Sequence, residues 1–140
     1  MYKLFISSII VFSFFNKVSA QQPTTDIQAI ESTVQLYFDG WGTGDSTKVG
    51  KAMHSSCHLK YFREGKFTDI SRLDYLSKFK IRARPDSLVT RIASINLTDN
   101  IASVKAEIIT ATHFFTDYFN MIKTDDGWFI VDKVSTNKKR

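Results

Sequence analysis

Hydrophobic residues recur every third or fourth position in the first part of the chain and every second position in the last part. The first spacing predicts helices, and the second predicts half-buried strands. Ile27, Ile30, Val34, Phe38 and Trp41 form one apolar stripe, opened by a Thr25–Gln28 capping box and closed by Gly42-Thr43-Gly44. Asp45 or Ser46 caps a short second helix that carries Val49, Ala52 and Met53 into His54. Residues 58–70 alternate around Glu64-Gly65, a small hairpin. Ser71 with Asp74 then opens a third helix marked by Leu73, Leu76 and Phe79. Arg84-Pro85-Asp86 breaks it, because the residue before a proline avoids helical angles.

From Leu88 onward the pattern is purely β. A two-residue loop at Asp99-Asn100 puts Val89, Arg91, Ala93, Ile95 and Leu97 on one face with Ala102, Val104, Ala106 and Ile108. The opposite face carries Thr90, Ser94, Asn96, Ser103, Lys105 and Glu107 and is more polar. A second hairpin turns at Thr124-Asp125-Asp126-Gly127, where Asp and Gly tolerate positive φ. Its oilier face holds Phe115, Asp117, Phe119, Met121, Trp128, Ile130, Asp132 and Val134; the other holds Thr116, Tyr118, Asn120, Phe129, Val131 and Lys133. The apolar faces coincide, so the prediction is α+β: three N-terminal helices packed on a curved, mainly four-stranded antiparallel sheet.

The N-terminus changes the picture of compartment. Lys3, an apolar run over residues 4–15 and Val18-Ser19-Ala20 describe a secretory signal peptide cleaved after Ala20. The run falls short of the roughly 20 residues that span a bilayer, so no stable membrane anchor is expected after cleavage. The expected layout is a signal peptide over 1–20, a leader over 21–25, one domain over 26–136 and a basic tail over 137–140. The formal charge is +5, of which Lys3 and Lys17 leave with the signal peptide. The remaining surplus is dispersed, which does not describe a nucleic-acid groove. Cys57 is the only cysteine, so no intramolecular disulfide or cysteine metal cluster is available. The expected location is periplasmic or extracellular.

Ala52-Met53-His54, the segment FTDYFNMIK at 115–123 and the segment GWFIVDKV at 127–134 resemble the bacterial lumazine-binding family. That family is related to SnoaL-like polyketide cyclases within the nuclear-transport-factor-2-like superfamily. The resemblance extends over residues 26–135. It implies a conical half-barrel with a hydrophobic cavity between sheet and helices, often dimeric through the sheet. The superfamily includes isomerases, dehydratases, cyclases and plain binding modules, so the fold leaves function open.

Candidate chemistry sits on the inward face. Asp117, between Phe115 and Phe119, is a carboxylate whose proton affinity burial would raise, which suits acid/base work. Arg91 shares its face, so a structural Asp117–Arg91 ion pair is the competing reading, and Asp132 lies further along toward the rim. His113, on the turn, and Tyr37 are candidate assistants to Asp117. His54 and His58 are four apart, but Ser55-Ser56-Cys57 ends the helical pattern and no acidic third ligand is near, so no metal site is expected. Tyr37, Trp41, Met53, Phe62, Arg91, Phe115, Asp117, Phe119 and Trp128 are expected to line a pocket for a small hydrophobic or aromatic molecule. Small inward Ala93, Ala102 and Ala106 leave it room. No glycine-rich phosphate loop or serine nucleophile elbow occurs, and no cofactor is expected.

The leading expectation is an exported, homodimeric binding module. An isomerase- or lyase-type enzyme and an interaction protein with a closed cone remain the alternatives. An open cavity reaching Asp117 without Arg91 occupying it favours catalysis; a neutralised Asp117–Arg91 pair in an apolar cavity favours binding; a cone without a void leaves only the interaction reading.

Overall fold

The computed structural model describes residues 23–140, so the signal peptide and its cleavage point lie outside the described residues. Helices α1 (Pro23–Thr43), α2 (Ser46–Ala52) and α3 (Arg72–Leu76) cover one face of a six-stranded sheet. The strands are β1 (Met53–Arg63), β2 (Lys66–Ser71), β3 (Val89–Thr98), β4 (Ile101–Ile109), β5 (His113–Thr124) and β6 (Gly127–Lys139). They lie in the order β2-β1-β6-β5-β4-β3, and β1 runs parallel to β6 while every other pair is antiparallel. The sheet is therefore six-stranded and mixed, not four-stranded. The small hairpin predicted around Glu64-Gly65 does not stand apart: β1 docks on the free edge of β6 and continues the sheet.

Local signals place the helices. Asp45 caps α2, its Oδ1 accepting from the Thr47 and Lys48 amides at 2.9 and 3.2 Å. Ser71 Oγ accepts from the Asp74 amide at 3.1 Å and opens α3. Helix α1 ends where Gly44 takes φ +66°, and a Cβ there would lie 1.9 Å from the Lys80 carbonyl oxygen. Only glycine fits that crossing. The Arg82 amide donates to Thr43 O at 2.8 Å and ties the following loop to the same helix end. Three boundaries differ from expectation. Helix α1 already begins at Pro23, inside the predicted leader. Met53 and His54 belong to β1 and not to α2. The predicted tail pairs in β6, where Lys138 and Lys139 face Phe114 and His113.

Alternation holds on β4 and β5 and fails in β6 and β3, each time at a β-bulge, while β1 carries a further register shift between Met53 and His58. In β6, Asn120 pairs Asp132 while Met121 pairs Ile130, leaving Val131 without a partner. One extra residue reverses every side chain beyond it. Trp128 and Ile130 point inward as expected, but beyond the bulge it is Lys133 and Ser135 that face the helices, opposite Phe119 and Asp117. Val134 is consequently exposed, and Asp132 pairs with Lys60. In β3 the extra residue is Ala93. Ile95 and Leu97 keep the expected face, whereas Thr90 and Ile92 replace Val89 and Arg91 on it.

The core is built from Ile30, Val34, Tyr37 and Phe38 of α1 against Val104, Ile108, Phe119, Met121 and Ile130 of the sheet. One end is locked by Trp128, whose Nε1 donates to Asp26 Oδ1 at 3.1 Å, with Lys123 Nζ on the same oxygen at 2.7 Å. These two donors hold the Asp26 carboxyl below its ordinary pKa. Trp128→Ala deletes a buried ring and this anchor, and should cost roughly 3–5 kcal/mol. Urea unfolding measures it, and an unchanged midpoint would remove Trp128 from the core.

Candidate functional site

Between the helices and the β1–β6–β5 part of the sheet lies a cavity of about 190 Å³. Trp41 of α1, Tyr75 of α3, Leu59 and Tyr61 of β1, Ile70 of β2, Ile108 of β4 and Phe115 of β5 supply its apolar wall. Asp117, Lys133 and Ser135 form its floor, and Arg63 and Lys78 also line it. A larger concavity of about 710 Å³ lies elsewhere, between α1 and β3, as an open surface groove.

The floor is an ion pair sealed under aromatic rings. Lys133 Nζ stands 2.7 Å from Asp117 Oδ2, and the two residues are 3% and 1% exposed. Ser135 Oγ donates to Asp117 Oδ1 at 2.6 Å. Oδ2 receives no aligned hydrogen bond, so its contact with Lys133 is Coulombic. The ammonium is surrounded by the rings of Tyr37, Tyr75 and Phe119, with centroids 5.6, 5.8 and 5.9 Å away. Their negative faces add to the attraction. Burial, the largest single influence, drives the Lys133 pKa down; Asp117, with smaller help from Tyr75 and Cys57, outweighs it and the net direction is up, so the lysine stays charged.

The tyrosines extend the cluster. Tyr37 and Tyr75 share a hydrogen bond between their hydroxyls at 2.8 Å. Burial raises both phenol pKa values, and for Tyr37 the neighbouring Tyr75 and Asp117 push the same way. Neither supplies a phenolate at neutral pH. Cys57, buried behind the floor near Asp132 and Lys133, has its thiol pushed up to about 12, chiefly by burial. That environment makes it a poor nucleophile.

The residues singled out in the sequence separate into four groups. Trp41, Phe115 and Asp117 line the cavity together. Tyr37 and Phe119 pack behind its floor, with ring centroids 5.0 Å apart. Met53 and Trp128 are core residues away from it. Phe62 and Arg91 fall outside altogether. Phe62 is on the outer face of the hairpin and 68% exposed, and Arg91 pairs with Glu107 across the outer face of β3 and β4. The bulge at Ala93 removes the expected Asp117–Arg91 pair, and the bulge at Val131 provides Lys133 instead. His113 is half-buried beside Phe115, shares a hydrogen bond with Thr112 Oγ1 at 2.9 Å, and does not line the cavity. His54 and His58 lie on strand β1, where four residues span about 13 Å, and His58 Nδ1 meets Asp69 Oδ1 at 2.7 Å. Among the described residues no group of three acidic, histidine or cysteine side chains is placed to hold a metal.

Lys133 and Ser135 are the floor residues that alternation missed. Leu59, Tyr61 and Tyr75 also line the cavity, and nothing in their spacing ties them to Asp117.

Residues 25–135 match the family model described as "Putative lumazine-binding". The chain belongs to this family. Solved structures agree on the fold. A nuclear-transport-factor-2-like protein of unknown function from Silicibacter pomeroyi is 21% identical, with a TM-score of 0.75 over 82% of this chain and 98% of that one. Another from Shewanella baltica is also 21% identical, with a TM-score of 0.76 over 83% and 96%. A ketosteroid isomerase-like protein from Erwinia carotovora atroseptica is 15% identical, with a TM-score of 0.63 over 80% and 95%. A search of curated proteins gave no significant match.

Removing one member of the floor pair leaves a buried charge unopposed. Lys133→Met should therefore destabilise by about 3–5 kcal/mol, while the double change Asp117→Leu with Lys133→Met should recover most of that loss. A double-mutant cycle in urea measures the coupling, and additive costs would contradict it. Cys57 gives the pH dependence its sign. An unfolded thiol ionises near 9.0 and the folded one near 12, so the stability it contributes is present below pH 9 and is lost as pH rises through that window. Chemical unfolding followed between about pH 8 and 10 should show a shallower decline for Cys57→Ala than for the wild type. Parallel declines would contradict the assignment.

Proposed function

We propose that this lumazine-binding family member is an exported module that holds a small hydrophobic or aromatic molecule in the cone. The supporting observation is the floor. Asp117 is almost fully buried, neutralised by Lys133 and hydrogen-bonded by Ser135. A general base needs a carboxylate free to accept a proton from the ligand; here both oxygens are already engaged by protein cations and hydroxyls. The apolar wall above the pair offers burial, and the hydroxyls of Ser135 and Tyr75 offer orientation. The volume, about 190 Å³, fits one ring, since a cavity of roughly 150 Å³ takes up benzene. That open volume also weighs against a cone closed by its own side chains.

The reading includes release of residues 1–20 and self-association through the outer sheet face. Tyr118, Ile122 and Val134 are exposed large apolar residues on that face. The isomerase or lyase reading draws on one observation, the lining of the cavity by Asp117, and it requires Lys133 to release the carboxylate.

Native mass spectrometry of the protein recovered from its expression host tests these points together. The expected species is a dimer of chains beginning at Gln21, carrying a small molecule that is absent from Ile70→Trp, whose indole fills the cavity. A ligand retained equally by Ile70→Trp would place it elsewhere. A mass that includes Met1–Ala20 would reject export.

A further inference from the structure

The charge around the cavity is one-sided. Its floor is neutral, because Asp117 and Lys133 cancel at 2.7 Å. The other charged groups in the wall are Arg63 and Lys78, both exposed. A second concavity of about 340 Å³ adjoins it through Trp41, Tyr75 and Lys78, and adds Lys80 and Arg82. No carboxylate other than Asp117 lines either space. Among the described residues, none of these four cations is in an ion pair.

Two of them are also positioned. The Arg63 guanidinium lies 5.2 Å from the Tyr61 ring centroid, and that of Arg82 lies 5.7 Å from the Trp41 ring centroid. Arg82 is fixed further, donating to the carbonyls of Gly42 and Trp41 at 3.3 and 3.0 Å. Both guanidinium groups are therefore laid on aromatic rings of the cavity wall, next to the ring-sized space. The Arg82 edge is spent on those carbonyls, whereas the Arg63 guanidinium, set against Tyr61, keeps its N–H edge for an anion, which it binds by charge-assisted hydrogen bonds.

We infer that the ligand is a single-ring acid: the ring enters the aromatic cavity, and its carboxylate or phosphate is held at the mouth by Arg63 and Lys78. This rests on the cavity being a ligand site. The neutral floor and the cationic mouth fix the direction of entry, because the matched pair at the bottom offers an anion no net charge while Arg63 and Lys78 do.

Calorimetric titration with matched probes tests it. Phenylacetate should bind the purified protein about tenfold more tightly than phenylacetamide, and the preference should shrink with added salt. Arg63→Gln with Lys78→Gln should bring the acid down to the level of the amide. Lys66→Gln, which removes an exposed charge at the hairpin turn outside the cavity, should leave the preference intact. Phenyl phosphate run beside phenylacetate shows which anion is preferred. Equal affinity for acid and amide overturns this inference and leaves the cavity reading standing. Inorganic phosphate binding as tightly as phenyl phosphate overturns it too, since the ring then contributes nothing. No binding by acid or amide overturns both readings.

Discussion

The buried pair of Asp117 and Lys133 is the constraint around which the rest of the cone is arranged. Two charges with almost no solvent contact cost several kcal/mol each to desolvate, and only close mutual approach offsets that cost. The fold meets this condition by placing β5 and β6 side by side with Asp117 opposite Ser135 and Lys133 opposite Phe119. The Ser135 hydroxyl and three ring faces then supply what the pair itself lacks. Tyr37 and Tyr75, from different helices, close over the ammonium and join through their hydroxyls. The helical layer is therefore tied to the sheet at the polar centre as well as by apolar contact.

That arrangement depends on a single inserted residue. Without Val131 as an unpaired position, β6 would keep its alternation, Lys133 would face outward, and Asp132 would stand beside Asp117 in the interior. Two buried carboxylates with no cation would repel each other and both lose hydration. The bulge converts that arrangement into a neutral one and sends Asp132 outward to Lys60. Bulges near sites serve to re-aim side chains, and here the re-aimed side chain is the one that makes Asp117 tolerable.

Much of the architecture was legible from spacing. The stripe of α1, the caps at Asp45 and Ser71, the turns at Glu64-Gly65, Asp99-Asn100 and Asp125-Asp126, and the parity of β4 and β5 all follow from local chemistry. The sheet's full extent did not, because β1 joins β6 in parallel across a long stretch of sequence, and pairing of that kind leaves no short-range mark. The site was legible only where alternation held. Trp41, Phe115 and Asp117 came from unbroken periodicity. Arg91 and Lys133 were assigned to the wrong faces because Ala93 and Val131 each add one residue, and neither is a glycine that would signal a bulge. Phe62 was misread for a different reason: an aromatic on a two-stranded extension need not meet a core, and this one does not.

The same electrostatics bears on whether the cone binds or reacts. A carboxylate poised for proton transfer is usually set against apolar surroundings that leave it short of partners. Asp117 has the apolar surroundings but also a cation and a hydroxyl, so its charge is already stabilised before any ligand arrives. Catalysis would first have to separate the ion pair inside a low-dielectric enclosure, losing the stabilisation that makes it tolerable there. A bound ring, by contrast, need only rest on the pair, displacing water from Trp41, Tyr61 and Phe115 while the charges beneath stay matched. The energetics of the floor therefore support the proposed binding role over one that moves a proton through Asp117.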